Sequence, residues 1–104
     1  MKLICRSEMT KFSPSSPVRR VIFESPHLRV ISFSFEPGQE MPVHEHHAHG
    51  EIAFLILEGE GIFTREDLDL IVKSGSLLVM PASQAHGFRA TTRLQMLVFI
   101  APPF

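Results

Sequence analysis

The chain has 104 residues, a formal net charge of −1, 44% hydrophobic and 20% charged residues; these values describe one globular domain with a modest core and exclude a two-domain or disordered chain. No stripe of Lys and Arg is dense enough to neutralise a row of phosphates, so no nucleic-acid partner is expected. The longest apolar run, IAFLIL, has six residues against the roughly 20 that span a bilayer; with no leader-like opening and a single cysteine, Cys5, the expected setting is a reducing cytoplasm without membrane contact.

Residues 1–20 are mixed in character, and KFSPSSPVRR combines Pro, Ser and basic residues in the manner of a surface arm. From Val21 onward, short β-branched and aromatic runs alternate with turn residues. Strands are expected over 21–23, 28–35, 51–59, 61–64, 68–72, 76–81, 86–90 and 94–100. Pro37-Gly38, Gly59-Glu60-Gly61, Ser74-Gly75 and Pro81-Ala82-Ser83 punctuate the ends of these runs. In RVISFSFE, Ile31, Phe33 and Phe35 alternate with Ser32, Ser34 and Glu36, which predicts one buried and one wet face. Eight such runs and no helical repeat make 21–104 a single all-β domain, a sandwich or small barrel, preceded by the arm at 1–20.

The chemistry concentrates in PVHEHHAHGE, residues 42–51, which holds four of the six histidines. On an extended chain residues i and i+2 share a side, about 6.5–7 Å apart, so His44 and His46 can meet one ion and Glu51 can add a hard anionic ligand. Divalent Fe, Mn, Ni, Zn and Cu all accept imidazole in such a mixed set. A His-rich tract by itself also binds metal adventitiously. His47 points opposite to His46 and reads as exposed, and His27, between a proline and a strand start, reads as an ordinary surface histidine.

These residues resemble the cupins. The first cupin motif runs G, five residues, H-x-H, three or four residues, E, six residues, G; here Gly38 is followed by five residues, His44-Glu45-His46, four residues and Glu51. The second runs G, five residues, P-x-G, two residues, H, three residues, N. Gly75, Pro81 and His86 keep that spacing, while Ser83 and Ala90 replace the second Gly and the Asn. The resemblance covers roughly residues 28–100. It implies a small antiparallel jelly-roll barrel, the double-stranded β-helix, with a divalent transition metal held at one end by His44, His46, Glu51 and His86. Seven residues rather than six separate Glu51 from Gly59, so either the strand is bulged or Glu51 is one place out of register with the family's acid. His49 is the alternative to Glu51.

Phe33, Phe35 and Phe88 are the expected pocket residues, Phe88 because it follows His86 by two and shares its side of the strand. An apolar pocket around a polar centre is the usual form of a small-ligand site. No phosphate loop, nucleophile elbow or spaced Cys/His pair competes with it. Two functions are compatible with this reading. One is a metal-dependent enzyme acting on a small molecule, first a dioxygenase and next an isomerase or lyase, with Glu51 as a catalytic base. The other is a non-catalytic small-ligand-binding or sensing module. A homodimer is expected as well: if Glu51, Ala53, Leu55 and Leu57 face the barrel, Ile52, Phe54 and Ile56 are left outward as a patch that a second copy would bury.

Overall fold

The computed structural model describes residues 1–46 and 49–104. Among these residues it has nine strands: β1 (Val18–Glu24), β2 (Arg29–Phe35), β3 (Glu40–His44), β4 (Glu51–Glu58), β5 (Glu60–Arg65), β6 (Leu68–Lys73), β7 (Leu77–Pro81), β8 (His86–Ala90) and β9 (Leu94–Ala101). A single helical turn, α1 (Arg6–Met9), lies in the N-terminal segment, and no helix among the described residues is long and apolar enough to cross a membrane. Eight strands fall on the eight predicted runs; β1 begins at Val18, inside the segment read as an arm. The ninth, β3, has no counterpart among those runs because Pro42 cannot donate to a ladder. Such a strand belongs at an edge, and β3 is an edge strand.

The strands form a five-stranded sheet in the order β1-β2-β9-β4-β7 and a four-stranded sheet in the order β3-β8-β5-β6, all paired antiparallel. The all-β expectation therefore holds: this is the double-stranded β-helix, two sheets enclosing one core. Phe35, Phe54, Phe63, Leu94 and Met96 lie at its centre, each at most 2% exposed. Burial on this scale is the main stabilising term of the domain, at about 1.5–3 kcal/mol for each large apolar side chain. At the β4–β5 hairpin Gly59 has φ +90°, and a Cβ there would collide with the Arg93 carbonyl, so only glycine fits.

Two expectations are overturned. Ile52, Phe54 and Ile56 point into the barrel, each 2% exposed, and so cannot form an outward patch. Glu51, Ala53, Leu55 and Leu57 take the outer face instead, because three large β-formers fill a core better than an alternation that includes a carboxylate and an alanine. Ser32 and Ser34 are not wet either: they are 0% and 1% exposed. The N-terminal segment lies over them. The Ser34 hydroxyl donates to Gln95 Oε1 at 2.6 Å, Gln95 Nε2 donates to Ser32 Oγ at 2.6 Å, and the Ser32 hydroxyl donates to the Met9 carbonyl at 2.8 Å. Buried polar groups survive only with such complete pairing.

Ser34→Ala, which strips Gln95 Oε1 of its donor, should therefore destabilise the protein by about 1–3 kcal/mol in urea unfolding. Ser15→Ala, on the exposed surface, should stay within about 0.5 kcal/mol.

Candidate metal centre

The centre begins with a register. In the β3–β8 pair the slip between Met41 and His44 sets His44 directly opposite His86. Side chains directly opposite in an antiparallel pair lie on the same face, and the two imidazole centroids are 4.6 Å apart. His46, two residues beyond the end of β3, brings its ring to 4.8 Å from His44 and 6.1 Å from His86. One ligand atom from each of these three histidines lies within 4.8 Å of the others, close enough to hold one ion.

The imidazoles are oriented by what surrounds them. The His86 ring, on a residue only 1% exposed, is stacked 5.9 Å from Phe63 and meets Phe54 edge-on at 5.4 Å. Its Nδ1 is 2.9 Å from the Gln84 carbonyl, and Nδ1 of His44 is 2.9 Å from the Pro42 carbonyl. A carbonyl only accepts, so both Nδ1 atoms carry the proton and both Nε2 lone pairs are left to ligate. Backbone anchoring of the distal nitrogen is the usual way a ligand histidine is held. Burial, the largest cause, holds the His46 and His86 imidazoles below the ordinary histidine range, and repulsion from neighbouring histidines adds to it; the bond to Gln84 offsets part of this at His86. Both are thus neutral at pH 7, the form that binds metal. The donor set fits a divalent transition metal.

Glu51 does not join the three histidines. It is exposed, at the start of β4, paired with Pro81 and Ala101. The cupin spacing of six residues, measured back from Gly59, lands on Ile52, and Ile52 is the inward residue that lines the cavity. A register slip does occur in β4, but between Ile56 and Glu58, beyond the inward run, where it cannot turn Glu51 inward. His49 is also exposed. His47 lies outside the described residues.

Above the histidines the barrel opens into a cavity of about 320 Å³. Phe33 lines it as expected, together with Ile31, Met41, Phe54 and Val98. Phe35 and Phe88 do not line it: they are 0% and 2% exposed, pack at 5.1 Å from each other, and belong to the core. The mouth carries three residues that the sequence reading missed, Arg19, Arg29 and Phe104. Arg29 could have been found, since it continues the inward alternation Ile31, Phe33, Phe35. Arg19 reaches the mouth through the β1–β2 register that sets it opposite Phe33, and the Phe104 ring lies 4.3 Å from that of His46; neither is visible without the pairing.

A family model described as a cupin domain matches residues 31–100, most of the chain. The chain belongs to the cupin family. Among solved structures this cupin is similar over 100% of its length to an RmlC-like cupin protein from Desulfovibrio desulfuricans, of which it covers 99%, at 40% identity and a TM-score of 0.94. An uncharacterised conserved protein with a double-stranded β-helix domain from Klebsiella pneumoniae matches at 23% identity and a TM-score of 0.88, with 98% of this cupin and 90% of that chain covered. The protein TT1209 from Thermus thermophilus matches at 23% identity and a TM-score of 0.87, with 98% of each chain covered. Comparison with curated proteins finds no significant match.

Two outcomes follow from the geometry. His86→Ala should weaken Zn(II) binding by more than about tenfold in calorimetry, while Glu51→Ala should change it less than about twofold. In metal-free protein, the unfolded chain takes up protons on His46 and His86 before the folded chain does. Stability should therefore fall as pH drops through the ordinary histidine range, and thermal unfolding in chelator at a series of pH values should show a shallower fall in His86→Gln.

Proposed function

We propose that this protein is a metal-dependent enzyme, of the oxygenase class, that acts on a small organic molecule held in the barrel beside a three-histidine site. The observation that carries the reading is the convergence of His44, His46 and His86, with two of the three fixed in the ligating tautomer by backbone carbonyls. A divalent Fe, Mn, Ni, Cu or Zn ion bound there would keep coordination positions open and supply Lewis acidity or, for the redox-active metals, activation of O₂. The protein's share is to orient the three imidazoles, to exclude water with Ile52, Phe33 and Phe54, and to admit a substrate at the mouth. Glu51 serves neither as ligand nor as base on this reading, since it faces outward.

A second reading, a non-catalytic ligand-binding or sensing module, is favoured by one observation: among the described residues no Asp, Glu, Cys, Ser or Thr side chain lines the cavity, so these side chains offer no general acid or base there besides the histidines. Purification without a histidine tag, followed by metal analysis, should find one ion per chain, lost in His86→Ala. Turnover of a small substrate by the loaded protein supports the enzyme, whereas thermal stabilisation by a compound recovered unchanged supports the module.

We also propose that the molecule pairs with a second copy, in a cytoplasmic setting that leaves Cys5 reduced, through residues other than those first expected. Leu77 and Val79, each 60% exposed, lie on β7, an edge strand whose free backbone groups can extend a sheet. They adjoin Leu55 and Ala53 on the same outer face. Sedimentation should give a dimer for the native chain and a monomer for the double variant Leu77→Lys, Val79→Lys.

A further inference from the structure

No acidic side chain among the described residues lines the cavity. Among the residues that line it are three histidines and two arginines, and no Asp or Glu. The position separated from Gly59 by six residues is occupied by Ile52, which lines the cavity, while Glu51 faces outward, so three neutral ligands would leave the charge of a bound divalent ion uncompensated by the side chains that line it. An excess positive charge in an apolar, partly closed site is costly until an anion arrives. The two arginines add to that excess unequally. Arg29 is already engaged: Nη2 and Nε lie 2.6 and 2.9 Å from Glu24 Oε1, and Nη1 donates to the Phe104 carbonyl at 2.9 Å. Arg19 has no hydrogen-bond or ion-pair partner among the described residues, and the β1–β2 register directs it to the same face as Phe33, at the mouth.

We propose that the cavity takes a small organic anion of the carboxylate class, with an apolar body seated against Phe33, Ile52 and Phe54 and its charge recognised by Arg19. The proposal rests on the metal reading for the full size of the charge preference; Arg19 contributes a share that does not depend on the ion. The planar guanidinium matches a carboxylate in two-point contact, which a neutral amide cannot reproduce. Apart from the three histidines, the lining below the mouth is apolar, which favours a single charged group over a sugar-like polyol, whose hydroxyls would find few partners there. Arg19 is a specificity residue: it is exposed on β1, and the carbonyls that anchor His44 and His86 belong to Pro42 and Gln84, so its replacement should leave the fold and the metal centre intact.

The test uses calorimetric titration of the full chain, wild type and Arg19→Gln, first with Zn(II) alone and then with phenylacetate, its neutral counterpart phenylacetamide, and phenyl phosphate. Zn(II) affinity should be equal in the two proteins. Phenylacetate should bind the zinc-loaded wild type at least about tenfold more tightly than phenylacetamide. Arg19→Gln should reduce that preference about three- to fivefold, and Arg19→Lys should restore part of it. Failure of Zn(II) to bind would overturn the metal reading, and phenylacetate against phenylacetamide on metal-free protein would still decide the role of Arg19. Normal Zn(II) binding with no preference for the anion, no binding of either phenyl compound, or a preference unchanged in Arg19→Gln would overturn this inference and leave the metal reading standing. Tighter binding of phenyl phosphate than phenylacetate would overturn the carboxylate assignment.

Discussion

One cross-strand pair organises the molecule's chemistry: His44 opposite His86, on an edge strand and its neighbour. The two residues are far apart in the chain, and no local preference brings them together. They meet because β8 is held between β3 and β5 and because the β3 slip sets the phase of the histidine. If β3 were displaced by one residue, His44 would turn to the outer face, away from His86. Phe54 and Phe63 guard the other side of that arrangement by filling the space His86 would need in order to swing away.

Much of this was legible in the sequence, for a physical reason. Period-two alternation and turn residues are local signals, and they located eight strands; motif spacing located the three histidines that meet. What stayed hidden depended on pairing. The face of EIAFLIL is ambiguous because both sides are apolar, and the barrel resolved it in favour of Ile52, Phe54 and Ile56. The count of seven residues to Gly59 already carried the clue that Glu51 was out of phase, but a count cannot tell a bulge from a shift. Ser32 and Ser34 read as wet because their cover comes from residues 9–11, a contact that alternation does not encode. Arg19 lay in a stretch whose composition resembles an arm, and only the strand it joins shows where it points.

The inward isoleucine at position 52, beside an outward Glu51, gives the centre a different character from a mixed nitrogen and oxygen site. Three neutral imidazoles are softer donors than a set that includes a carboxylate, and they neutralise none of an ion's charge. With an ion bound, the burden of charge balance would pass to whatever enters from solvent. An apolar wall intensifies this, because the field of the ion is poorly screened within it. The same position would thus bear on metal preference and on ligand charge together, which would make the two dependent properties of one cavity.

The position of Phe104 against His46, with its carbonyl on Arg29, has a practical side. Whatever is fused after Phe104 is delivered to the rim of the barrel. A C-terminal polyhistidine extension would bring competing imidazoles within reach of the three native ones. The opposite end of the chain, where Met1 and Leu3 lie open to solvent, is the better place for an affinity handle, provided it is cleaved before any ion is counted.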